Sequence, residues 1–285
     1  MSDAAAPARR RIARRVALVV AALVLLAALV FYGASEHVIR RDHDIPPVAI
    51  TVPHDAASIA EGQRLATMLG CPSCHGGGKG AVWTPVDPWY GRIAPPAIAR
   101  RLADYSDAEI ARLIRHGVTK QGATLFVMPT WSERNLADDD LARVIAWART
   151  LRAAPDDSLV ETYWGPKARW QMLTGEFRQS ATATSVAPKT RPADPGGYFT
   201  HALCAECHDL HRDQSKDGET VPALAPVAAA YSDEDFHRLL RTGVAAGGRK
   251  LSLMSTIVGE NLHALSDDEI AAIHRYLKAK AAKHP

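Results

Sequence analysis

Cys71-Pro72-Ser73-Cys74-His75 constrains this chain more than any other stretch, because two thiols three positions apart with an imidazole directly behind them suit one chemistry. Two intervening residues let both sulfurs reach the two vinyl edges of one porphyrin, and the adjacent histidine falls on the proximal side of its iron. Cys204-Ala205-Glu206-Cys207-His208 repeats the pentad. The expectation is two covalently bound haems c, with His75 and His208 as iron ligands. A zinc half-site or a redox dithiol also uses CxxC. Zinc, however, needs a partner CxxC at one site, a dithiol needs an oxidoreductase fold, and neither needs the trailing histidine twice. The pentads use all 4 cysteines of the chain. None remains for a structural disulfide or a catalytic nucleophile.

The chain opens on Arg9, Arg10, Arg11, Arg14 and Arg15, followed by an unbroken apolar run from Val16 to Tyr32. At the helical rise this run covers about 25 Å, the short end of a membrane span. The arginines favour a cytoplasmic N-terminus, which puts everything after Gly33 outside the inner membrane of a bacterium, facing the periplasm. The run exceeds a usual signal-peptide core and lacks a small-residue cleavage site behind it, so a retained anchor is expected. Through Ser35 the net charge is +4, leaving −1 of the +3 total for the exported part. No basic face remains to attract nucleic acid, and the arginine cluster is explained by topology.

The exported part repeats itself. A shift of 126 positions aligns Pro96-Ala97 with Pro222-Ala223, Tyr105-Ser106-Asp107 with Tyr231-Ser232-Asp233, and Gly117-Val118 with Gly243-Val244. The same register pairs Met128 with Met254 and Asn135-Leu136 with Asn261-Leu262. Only the loop between pentad and proline differs, spanning 21 positions from His75 to Pro96 and 14 from His208 to Pro222. Apolar spacing predicts a helix over 58–69 before the first pentad and a shorter one over 197–203 before the second. Ser106 and Ser232 read as N-caps of middle helices that stop at Gly117 and Gly243. Terminal helices are expected to begin near Asp138 and Ser266. The expected fold is all-α, organised as 1–35 cytoplasmic tip and transmembrane anchor, 36–55 tether, 56–154 first haem unit, 155–195 connecting segment and 196–285 second haem unit.

Helix with CxxCH, middle helix, methionine loop and aromatic-bearing terminal helix, in that order, resembles class I c-type cytochromes over nearly all of both units. The whole resembles the membrane-anchored dihaem cytochrome c family, including cytochrome subunits of periplasmic dehydrogenases. The resemblance implies Met128 and Met254, each in the loop before a terminal helix, as axial ligands opposite His75 and His208. A soft, neutral thioether favours Fe(II), raising the potential and closing the site to substrate. It also implies that Pro96 and Pro222 lie against the proximal histidines, where a backbone carbonyl accepts the Nδ1 hydrogen bond; Pro95 leaves the first assignment open by one residue.

Other candidates carry less. His116 reads as a charge at a helix C-terminus. His237 and His274 read as solvated, and His201 and His211 flank the second pentad as rivals to Met254. Gly76, Gly77, Gly78 and Gly80 lack the GK[ST] order of a phosphate loop. In the connecting segment, Tyr163-Trp164-Gly165-Pro166 with Trp170, Met172 and Leu173 is too apolar for free coil and is expected to dock on the haem units, with Met172 as packing.

The resemblance therefore points to an electron-transfer protein rather than an enzyme, passing single electrons between redox partner proteins such as a dehydrogenase, an oxidase or a soluble cytochrome. A dihaem peroxidase, a thiosulfate-oxidising cytochrome or a haem-based gas sensor is the alternative class.

Overall fold

Helix α1 (Ala5–Arg40) opens the chain, and all of its apolar run is helical. The structure, a computed structural model, describes residues 5–83, 85–185, 187–216 and 219–283. Residues 1–4 of the expected tip and the last two residues of the expected second unit thus lie outside the described residues. α1 continues to Arg40, so the first part of the expected tether is helix. From Val16 to Leu26 its side chains are exposed, as a lipid-facing helix requires and a core helix does not.

Two sets of helices follow in the same order. The first set is α2 (Ala56–Met68), a single turn α3 (Cys71–Cys74), α4 (Ile98–Arg101), α5 (Asp107–His116), a short α6 (Thr130–Glu133) and α7 (Asp138–Thr150). α8 (Pro166–Thr174) lies in the connecting segment. The second set is α9 (Gly196–Phe199) with a π-helical turn over Thr200–Cys204, then α10 (Leu224–Ala230), α11 (Asp233–Thr242), α12 (Ser252–Glu260) and α13 (Asp267–Ala281). Two short antiparallel ribbons qualify the all-α expectation. One pairs β1 (Gly91–Arg92) with β2 (Tyr163–Trp164); the other pairs β3 (Gln214–Lys216) with β4 (Glu219–Val221).

The helix ends are set locally. Ser106 accepts from the Glu109 amide and Glu109 returns a bond to the Ser106 amide, closing a capping box on α5; Ser266 and Glu269 do the same on α13. Ser232 caps α11 by accepting from the Asp235 amide. Gly117 and Gly243 end α5 and α11 in the left-handed conformation, at φ 65° and 70°.

In each set the first helix crosses the last, and a glycine permits the crossing. A Cβ on Gly62 would lie 1.9 Å from the Arg143 carbonyl oxygen of α7, and one on Gly196 would lie 2.2 Å from the Ala272 carbonyl oxygen of α13. Around these crossings Leu65, Ile110, Leu141 and Ile145 are fully buried, as are Phe199, Ile270, Ile273 and Leu277. Together they form one continuous core.

Charged groups cross from one set to the other. Arg64 of α2 donates to both carboxylate oxygens of Glu269 at 2.7 and 2.8 Å and to the Ala264 carbonyl at 3.0 Å. Arg191 reaches Asp140 of α7 at 2.7 Å and Glu61 of α2 at 2.6 Å, and the Tyr198 hydroxyl donates to Asp140 at 2.8 Å. Asp140 has no exposed side-chain surface. The Arg64 hydrogen bond, against the opposing effect of burial and with help from Arg191, holds the Glu61 carboxyl down to about 2.

The connecting segment docks along the first set. Phe177 packs between Tyr90, Phe126 and Trp164, the Ser180 amide donates to the Leu125 carbonyl at 2.7 Å, and Met172 is buried. His116 is not a solvated helix-end charge. It is buried, its Nδ1 donates to the Thr182 carbonyl at 2.7 Å, and burial lowers its pKa against that bond. His274 is likewise buried rather than solvated, stacked on Phe236 with ring centroids 4.2 Å apart; His237 is half-buried beside Asp267.

Candidate functional site

The first pentad is one helical turn entered through Gly70, which sits at φ 79°. The Cys74 amide donates to the Gly70 carbonyl at 2.9 Å and the His75 amide to the Cys71 carbonyl at 3.0 Å. That turn brings both thiols and the imidazole together. The His75 Nδ1 then donates to the Pro96 carbonyl at 2.7 Å, across the 21-residue loop. With Nδ1 carrying the proton, Nε2 has a lone pair directed at whatever lies before the ring. Burial lowers the His75 pKa, with the Pro96 bond acting the other way.

The second pentad is reached differently and ends the same way. A π-helical turn delivers Cys204, the His208 amide donates to the Cys204 carbonyl at 2.9 Å, and His208 Nδ1 donates to the Pro222 carbonyl at 2.8 Å. The shorter loop here is braced by Asp209 and Leu210, whose carbonyls accept from the Leu224 and Ala225 amides. In both pentads the acceptor is the proline's own carbonyl, which resolves the choice between Pro95 and Pro96.

No disulfide joins any of the four cysteines. Burial pushes Cys71 well up, with Glu133 adding to it; it also raises Cys74, and lifts Cys204 to about 12. Among the described residues no group of three or more His, Cys, Asp or Glu side chains converges on one point. A porphyrin held by two thioethers and one imidazole fits these residues.

Met128 and Met254 are both partly buried against the core. Met128 lies in a loop, as expected: Pro129 excludes helical backbone for the residue before it, and the Met128 carbonyl accepts from Ser180 Oγ at 3.2 Å. Met254 does not lie in a loop. It is in the first turn of α12, where no proline follows and the Ser255 hydroxyl accepts from the Leu251 amide at 2.8 Å. Of its rivals, His201 is exposed against the Tyr276 hydroxyl at 3.3 Å, and His211 is exposed on the turn that Asp209 closes.

Each pentad packs against the segment that follows the methionine of the other set. Ser73 Oγ donates to the Asn261 side chain at 2.8 Å, and α6, just after Met128, packs on the π-helical turn that carries Cys204. Glu133, the last residue of α6, is 2 % exposed, and one of its carboxylate oxygens has no hydrogen-bond partner. Burial first and the Glu206 carboxylate second raise its pKa to about 8. Sequence reasoning missed Glu133 because a single acid between two helices carries no motif.

A consequence follows for stability. Because folding raises this pKa from 4.5 to about 8, the folded state binds the extra proton and stability falls as pH rises through that window. Glu133→Gln is expected to remove the fall, worth at most a few kcal/mol. Denaturant midpoints of parent and variant should therefore diverge between pH 5 and pH 8, the variant gaining; a constant difference would show that Glu133 does not titrate there.

With the geometry in view, the matches to known proteins are specific. Residues 57–147 match the family model described as cytochrome C oxidase, cbb3-type, subunit III. The chain therefore contains a cytochrome c domain, and such a domain carries covalently bound haem c. Over 269 residues, 80% of this chain and 60% of the relative, it is 28% identical to the gluconate 2-dehydrogenase cytochrome c subunit of Pantoea cypripedii. It is 25% identical to the fructose dehydrogenase cytochrome subunit of Gluconobacter japonicus, over 79% of this chain and 53% of that one. A third relative is the cytochrome c subunit of alcohol dehydrogenase (quinone) from Gluconacetobacter polyoxogenes, 23% identical over 81% of this chain and 58% of that protein. The chain thus spans little more than half the length of these relatives.

Proposed function

We propose that the protein is a dihaem cytochrome c, tethered to the inner membrane with its haem units in the periplasm, that passes single electrons from a dehydrogenase toward an oxidase or a soluble cytochrome. The observation that carries this is the duplicate arrangement at the pentads: each CxxCH histidine is held in the same tautomer by the carbonyl of a proline at the same repeat position. Cys71 and Cys74 would hold one haem and Cys204 and Cys207 the other; His75 and His208 would be proximal ligands, with Met128 and Met254 opposite. Haem supplies a one-electron couple when bound. The chain's part is to orient the imidazoles through Pro96 and Pro222, to exclude water with the cores around α7 and α13, and to hold the two pentads across one interface. The repeat boundaries 56–154 and 196–285 delimit the two units. The dehydrogenase partner is supported by the relatives, which are cytochrome subunits of dehydrogenases by name.

Haem stoichiometry is the direct test. Acid-acetone extraction of denatured protein should leave about two haems per chain, because thioether bonds survive it. The double variant Cys204→Ala, Cys207→Ala should retain one. A parent chain that keeps a single haem, or loses both, would sink the dihaem reading.

A further inference from the structure

We infer that α8 and the loop carrying Trp89 sit in the headgroup layer of the bilayer beside α1, giving the protein a second, peripheral contact with the membrane. This rests on the reading of α1 as a membrane span. α8 packs along α1. Its Arg169 guanidinium lies 5.4 Å over the Tyr32 ring and donates to Ser35 Oγ at 3.0 Å and to Glu36 at 2.9 Å.

The depth of that contact points to lipid. Ala28 and Phe31 are half-buried, whereas Leu29 and Val30 beside them are 63% and 62% exposed. One stripe of the apolar run is therefore covered by protein. Ala28 lies about 6 Å below Tyr32, where the run ends. The protein that covers this stripe thus reaches past the level at which the apolar run stops.

The side chains displayed there suit that level. Trp170 of α8 is 59% exposed, Tyr163 of β2 is 52% exposed and Trp89 is 70% exposed. They belong to one patch, because the Trp89 carbonyl accepts from the Lys167 amide in the first turn of α8 at 2.8 Å and Tyr163 pairs with Arg92. Tryptophan and tyrosine join an apolar ring to a polar handle, and they are enriched where hydrocarbon meets headgroups. Three such rings on a water-facing surface would be an exposed apolar patch in need of a partner. Continuity with the span makes that partner the bilayer. The contact would stop the haem units from swivelling on a single helix and would set their height above the membrane.

Nitroxide labels on single introduced cysteines test this in the full chain, reconstituted in vesicles of phosphatidylethanolamine and phosphatidylglycerol, with the parent chain as labelling background. Trp170→Cys and Trp89→Cys are the probes, Val24→Cys reports the span and Leu159→Cys reports water. The ratio of collisions with oxygen to collisions with a soluble nickel chelate is expected to be several-fold higher at 170 and 89 than at 159, and below that at 24. Values at 170 and 89 equal to that at 159, with 24 in lipid, would overturn the proposal and leave the span intact. Protection of 170 and 89 from both reagents would overturn it in favour of a protein partner. A water-like value at 24 would remove the span itself, and the proposal with it.

Discussion

Replacing Met254 by alanine is expected to open one of two low-spin haems while leaving the other as it was. The proposed thioether is a neutral sixth ligand; without it the iron should show a high-spin ferric component, lose the weak near-infrared band of methionine ligation, and bind carbon monoxide or cyanide more readily. Met254→His should instead keep the iron low-spin and lower that haem's potential, since imidazole donates more strongly to ferric iron. Met128→Ala and Met128→His should do the same to the other haem, and the double alanine variant should show both changes. Met254 is the sharper case because it sits in the first turn of α12 rather than in a loop. An unchanged spectrum in Met254→Ala would move ligation to His201 or His211 and would favour a catalytic or gas-sensing second haem over a relay.

Asp140→Ala is expected to cost about 3–5 kcal/mol of stability, the range for removing one partner of a buried ion pair. Asp140 is fully enclosed and accepts from Arg143, Arg191 and the Tyr198 hydroxyl. Its loss would leave the Arg191 guanidinium, itself only 23% exposed, without its closest buried partner, facing Glu61 and, at 3.8 Å, Glu269. The cost comes from the stranded charge rather than from the pair's own strength. Asp140→Leu combined with Arg191→Met should therefore recover most of the loss. Denaturant unfolding of the three variants decides it: a double variant as unstable as Asp140→Ala would assign the loss to packing of Tyr198 instead. Because these residues join α2 and α7 to the segment leading into α9, the single variant should also loosen the packing of the first pentad on the Asn261 segment of the second set. Hydrogen exchange at Ser73 and Asn261 would report that loosening.

Much of this protein was legible before its fold because the signals are local. Two thiols and an imidazole within five residues are a local pattern, so Cys71 to His75 and Cys204 to His208 point to haem attachment without the rest of the chain. The caps at Ser106 and Ser232 and the stops at Gly117 and Gly243 satisfy backbone groups within one helical turn, and the structure has them there. The apolar run of α1 and the repeat register needed no partner to be seen.

Tertiary structure decided whatever depends on a distant neighbour. Met254 joined a helix because the hydroxyl of Ser255 both caps Leu251 and reaches the Gly243 carbonyl. His116 and His274 became buried because the connecting segment and Phe236 cover them, whereas their sequence neighbours are charged and suggested solvent. Glu133, Asp140 and Arg64 carry no motif in the sequence. They became interface groups because the first set of helices packs against the second, and an ion pair 205 residues apart, Arg64 with Glu269, has no local trace. The sequence by itself marked the two pentads, the apolar run and the ends of the middle helices. Only the packing of one half on the other decided what lies against the pentads, because burial and charge pairing belong to the space between chain segments and not to the segments themselves.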